Sequence, residues 1–121
     1  MSLDVARFAI TVRNGQTDSP VGSIHELFGD CWAMAATSIS IPLNLFAPAS
    51  LNGGTFTTQF AWEEPTASVI NWIAGQGIVA GTLLNLTIVF AALSFRIHAS
   101  VAPNADTTFK ICKQYWADGR F

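Results

Sequence analysis

An all-β fold, an antiparallel β-sandwich with one or two short helices, is what three features of this sequence predict. Six or seven short segments alternate apolar and polar residues or concentrate β-branched and aromatic ones. Clusters of Gly, Pro, Asn and Asp separate them. Helix-like composition is confined to short stretches. The 121 residues suit one domain with a modest core, so residues 1–121 are read as a single unit.

Val5 to Val12, V-A-R-F-A-I-T-V, is nearly alternating and reads as the first strand, closed by the turn Arg13-Asn14-Gly15. Gln16 to Ser23 contains Pro20 and Gly22 and reads as a loop, and Ile24 to Ala36 has the composition of a short helix. Ser38 to Phe46, S-I-S-I-P-L-N-L-F, puts Ile39, Ile41, Leu43 and Leu45 on one face. Pro42 inside it favours an edge strand or a bulge, because proline has no N–H for the ladder. Pro48 to Gly54 is a turn, and Thr55 to Trp62 is a strand rich in Thr and aromatics.

Thr66 to Ala80 is ambiguous. Ile70, Ile73 and Gly77 have helical spacing, while Gly75, Gly77 and Gly81 weaken any helix. Thr82 to Phe90 is strand-like, and Phe95 to Val101 alternates with Phe95, Ile97, Ala99 and Val101 on one face. After the turn Pro103-Asn104-Ala105-Asp106, Thr108 to Trp116 forms a closing strand with Lys110 outward and Ile111 inward. The expected core is Phe8, Ile10, Ile41, Leu43, Leu86, Ile88, Ile97 and Ile111. Jelly rolls are one form of this fold class.

Only 12% of residues are charged, about half the share usual for a soluble domain. None lies in residues 31–62 or 65–95. A free monomer normally keeps charge on its outer faces, so other subunits or lipid are expected to cover them. The net charge of -2 and the scattered Lys and Arg give no basic stripe, and no nucleic-acid site is expected. Met1 to Asp18 lacks the apolar core of a signal peptide, so secretion is not expected. Cys31 and Cys112 are too few for a disulfide framework or a zinc site and fit free thiols in a reducing compartment.

Three stretches carry a family resemblance: V-A-R-F-A-I-T-V, then Cys31-Trp32-Ala33-Met34-Ala35-Ala36-Thr37 leading into S-I-P-L-N-L-F, and the closing F-K-I-C-K-Q-Y-W-A-D-G-R-F. In this order they resemble the jelly-roll coat (capsid) proteins of picorna-like plant viruses, nepovirus- or comovirus-like. In such domains a short apolar helical segment follows the first strand and precedes a long one. This chain is shorter than typical members. The resemblance implies a structural subunit of an icosahedral virus shell, present in the virion and assembled in the host cytoplasm, either as a whole coat domain or as part of a larger coat protein. It implies partners that are copies of the chain or sister coat domains, with no catalytic residue, cofactor, metal or small-molecule substrate.

Two other chemistries compete. Gly29-Asp30-Cys31-Trp32, ahead of Ala33 to Ser38, resembles the nucleophile segment of calpain and papain-like cysteine proteases, where a helix N-terminus lowers the thiol pKa. A small cysteine hydrolase would pair Cys31 with His98, with Asn104 or Asp106 orienting the imidazole. Leu27-Phe28 stand where such enzymes carry the oxyanion glutamine, and a core role for Cys31 and Trp32 is the simpler reading. A single membrane span is the other competitor, from Gly77 to Phe95 and followed by Arg96, interrupted by Thr82, Asn85 and Thr87.

The remaining motifs have plain readings. His25 and His98 lack metal-ligand partners at suitable spacing. Glu63-Glu64-Pro65 reads as a solvated turn, and Gly75-Gln76-Gly77 with Gly81 lacks the context of a nucleotide loop. Trp32, Trp62, Trp72 and Trp116 read as core or interface anchors. Asn85-Leu86-Thr87 matches a glycosylation acceptor but sits in an apolar run, where a glycan would block packing.

Overall fold

The computed structural model describes residues 3–23, 42–87 and 92–116. Among the described residues there are eight strands: β1 Leu3–Val12, β2 Gly22–Ser23, β3 Pro42–Phe46, β4 Thr55–Ala61, β5 Ile73–Gly77, β6 Leu83–Thr87, β7 Ser94–Val101 and β8 Thr107–Trp116. They form two four-stranded sheets, one ordered β1-β8-β3-β6 and the other β2-β7-β4-β5. Every pair is antiparallel. There is no helix among the described residues, and the short helix expected over Ile24 to Ala36 lies outside them.

Alternation turns one side of each sheet inward. Ile10 and Val12 of β1, Leu45 of β3, Phe56 and Phe60 of β4, Phe95, Ile97 and Ala99 of β7, and Phe109 and Ile111 of β8 share a single buried cluster. Because that cluster draws on both sheets, the two inner faces form one core, the arrangement of a β-sandwich. The rings of Phe56 and Phe109 meet edge-on across it, with centroids 5.0 Å apart at 69°. Phe60 and Phe95 meet within the second sheet with their rings tilted at 49° and centroids 5.1 Å apart.

Of the expected core, Ile10, Ile97 and Ile111 are buried and Phe8 packs against the cluster. Ile41 and Ile88 lie outside the described residues, as do the side chains of Leu43 and Leu86. Phe56, Phe95 and Phe109, absent from that expectation, are the largest fully buried side chains among the described residues. Lys110 is exposed and Ile111 buried, as the alternation requires.

Three expectations change. Pro42 does not mark an edge, since β3 is flanked by β8 and β6. It is tolerated as the strand's first residue, paired with Thr87 alone, and the ladder to β8 begins at Leu43↔Lys113. Val101 is exposed instead of sharing the face of Ala99. Thr55 pairs with Val101 and Phe56 with Ala99, so Ser100 is an extra residue in β7, and this bulge resets the alternation. Thr66 to Ala80 is no helix but a loop followed by β5.

A second register shift, between β4 and β5 around Thr58, explains a buried hydroxyl and a glycine. Thr58 is fully buried, yet its Oγ1 accepts a hydrogen bond from Gln76 N at 3.0 Å and replaces a ladder bond lost at the irregularity. A Cβ on Gly75 would lie only 2.4 Å from that oxygen, so the close approach demands glycine. In the β3–β4 turn, Asn52 and Gly53 have φ of 52° and 76°, and Asn52 Nδ2 donates to Thr107 Oγ1 at 2.9 Å. This ties the turn to the start of β8.

Replacing Phe109 by Ala removes the ring that bridges the sheets and leaves a cavity. Urea unfolding of Phe109→Ala is expected to show a loss of about 3–5 kcal/mol, against under about 0.5 kcal/mol for Lys110→Ala on the opposite face.

Candidate interaction surface

The outer face of the second sheet carries a polar network satisfied within the chain. Thr17 to Ser19 runs along β7 ahead of β2: Ala99 N donates to Thr17 O at 2.6 Å, Ser19 N to Ile97 O at 2.9 Å, and Ile97 N to Ser19 Oγ at 2.8 Å. Asp18 bridges His98 in this seam. Its Oδ1 lies 2.7 Å from His98 Nδ1 and 3.4 Å from Arg96 Nη1. Arg96 Nε donates to Gln59 Oε1 at 2.7 Å, and its guanidinium sits 4.2 Å over the Trp72 ring. Each member has a partner, so the network holds the leading segment and the β4–β5 loop against the sheet.

This geometry answers part of the hydrolase reading. His98 has a carboxylate neighbour, but it is Asp18, not Asn104 or Asp106. Asp106 Oδ1 accepts a hydrogen bond from Asn14 N, and Asn104 N donates to Asn52 O. Because a carboxylate only accepts, His98 donates to Asp18 through Nδ1. Cys31 lies outside the described residues, and Cys112, half-buried, belongs to β8 of the other sheet. Among the described residues, no group of three or more His, Cys, Asp and Glu is arranged to hold a metal.

The proposed span from Gly77 to Phe95 is not a helix where it is described: Leu83–Thr87 is β6, paired with β3, and Ser94 begins β7. No helix among the described residues is long and apolar enough to cross a membrane. Glu63-Glu64-Pro65 is a turn, as expected, and is structured: Ser94 Oγ donates to Glu63 O at 2.6 Å, and Asn71 N to Glu63 Oε1 at 2.8 Å. Asn85 is exposed on β6, so the packing objection to its glycosylation motif does not hold for its side chain.

The charge gap acquires a location. Among the described residues the sheets have four edge strands: β1 and β6 in the first, β2 and β5 in the second. β1 contains Asp4 and Arg7, and the segment leading into β2 contains Asp18. β5, I-A-G-Q-G, and β6, L-L-N-L-T, contain no charge, and neither does their connection, residues 78–82. All of β5 is exposed. Around these edges lie large exposed apolar side chains: Val69 at 67%, Val79 at 65%, Leu83 at 52% and Ile73 at 44%.

Natural edge strands are protected by charge, proline, bulges or a cover, because their free peptide groups invite another strand. β5 is irregular against β4, but it carries no charge, and β6 pairs with β3 in unbroken register. Uncharged edges with apolar side chains around them are suited to burial against another polypeptide. The uncharged run was visible in the sequence, whereas its gathering onto two edge strands depends on strand order. Comparison with protein families, curated proteins and solved structures returns no match.

The seam along β7 also makes a prediction. Asp18 is 38% exposed, so Asp18→Ala is expected to cost under about 1 kcal/mol in urea unfolding. Ser19→Ala leaves the buried Ile97 N–H without its hydroxyl partner and is expected to cost about 1–3 kcal/mol.

Proposed function

We propose that this chain is a structural subunit of an icosahedral virus shell, folded as a jelly roll, that joins its neighbours through the uncharged β5–β6 side and the adjacent loops. The observation that carries the reading is the pairing order. β1 pairs with β8, β2 with β7, β3 with β6 and β4 with β5. A chain folded once into a long antiparallel hairpin and then rolled up has this nesting, with four strands falling to each sheet. The resemblance of its first strand, middle segment and closing strand to plant-virus coat domains points the same way.

The surface supports the same role. Stable contacts bury about 800 Å² on each partner, with an apolar centre depleted of charge. The β5–β6 side offers Ile73, Val79 and Leu83 without a charge to desolvate. The proposed partners are copies of this chain or sister coat domains, in a virion assembled in the host cytoplasm, and the role requires no catalysis.

Electron microscopy of the concentrated purified chain is expected to show closed shells or their curved fragments. Ile73→Lys combined with Leu83→Lys should leave stability within about 0.5 kcal/mol per site, since both side chains are exposed, while sedimentation shows only monomer. A wild-type chain that stays monomeric at all concentrations, or a double variant that assembles as the wild type does, would count against the proposal.

A further inference from the structure

The outer face of the first sheet gathers chemistry that the sequence scatters. The registers place Ala9, Lys110, Phe46 and Leu83 opposite one another in a row across β1, β8, β3 and β6. The next row is Arg7, Cys112, Asn44 and Asn85. Arg7 and Lys110 are exposed, and as diagonal neighbours on paired strands they stand roughly 7–8 Å apart at their base. Phe46 is 45% exposed beside Lys110. Neither row contains a carboxylate, and neither cation has an ion-pair partner among the described residues. Arg7, Phe46, Lys110 and Cys112 help line an open depression of about 550 Å³.

We propose that this face binds single-stranded nucleic acid, with Arg7 and Lys110 on the phosphates and Phe46 stacked on a base. Two cations without a counter-ion among the described residues would meet any polyanion. An exposed aromatic ring beside Lys110, on the side away from Arg7, on an open sheet with amides alongside, is the combination that single strands use, because every base has a face to stack. An acidic peptide would satisfy the cations and leave the ring unused.

The net charge of -2 argues against a basic protein, not against this face. Among the described residues, Asp18 lies on the other sheet, Glu63 and Glu64 in the β4–β5 loop and Asp106 in the β7–β8 loop, while Asp4 stands on β1 three residues before Arg7 but in neither of the two rows. The binding stands apart from the shell proposal; only its corollary, that this sheet faces the packaged genome, rests on that reading.

The test is fluorescence anisotropy with a labelled oligouridylate of about twelve nucleotides, titrated between about 50 and 200 mM salt. Two phosphate contacts predict a slope of log affinity against log salt of about -1.4, and Arg7→Gln or Lys110→Gln should each reduce its magnitude by about 0.7. Phe46→Ala should weaken binding by at least about fivefold with the slope unchanged. The proposal is overturned by absence of binding at low salt, or by a slope that neither cation variant alters. It is overturned equally if inorganic polyphosphate or poly-glutamate competes as well as the unlabelled oligonucleotide, or if Phe46→Ala binds as the wild type. Leu83 adjoins Phe46 on this face, but Ile73 lies on the other sheet, so Ile73→Lys alone separates loss of assembly from loss of binding.

Discussion

The contact on which the rest of the structure depends is the packing of the two inner sheet faces, centred on Phe56 against Phe109 with Phe95, Leu45 and Ile97 around them. A sheet face is chosen by parity, so burying one set of side chains dictates which residues point outward. Ile111 inside places Lys110 and Cys112 outside, and Leu45 inside does the same for Asn44 and Phe46. Both outer surfaces follow from this one constraint, and so does the exposure of the cations on β1 and β8. The bulge at Ser100 is the local exception: it lets Ala99 stay buried while Val101 turns out near the β7–β8 turn.

The two sheets spend their outer faces differently. On the second sheet, Asp18, Arg96, His98, Gln59 and Trp72 satisfy one another, which makes that face self-contained. On the first, Arg7 and Lys110 have no ion-pair partner among the described residues. Between the sheets, at the β5 and β6 edges, charge is absent altogether. A polar seam, an open cationic face and an uncharged side are three surfaces of one sandwich. They give the assembly proposal and the binding proposal separate residues.

Much of the fold was legible wherever one face of a strand is buried and the other wet. Val5 to Val12, Phe95 to Ala99 and Thr108 to Ile111 alternate because their environment does. β5 was illegible for the complementary reason: its residues are all exposed, and Gly75 is selected by contact with Thr58, so no burial period exists to read. Pro42 misled because a local rule about donors cannot tell the first residue of an inner strand from an edge. The partner of His98 could not be found from spacing, since Asp18 reaches it across most of the chain through the seam along β7. The charge gap was plain in composition, but its meaning required knowing that β5 and β6 are edges.

The central claim, that the uncharged β5–β6 side is buried between subunits, is tested most directly by hydrogen–deuterium exchange across a concentration series. The account predicts that the amides of Ile73–Gly77 and Leu83–Thr87 that point away from β4 and β3 exchange rapidly in dilute protein and become protected as assemblies form, while those of β8 at the sheet centre are protected throughout. Assembly with unchanged exchange in β5 and β6 would contradict it.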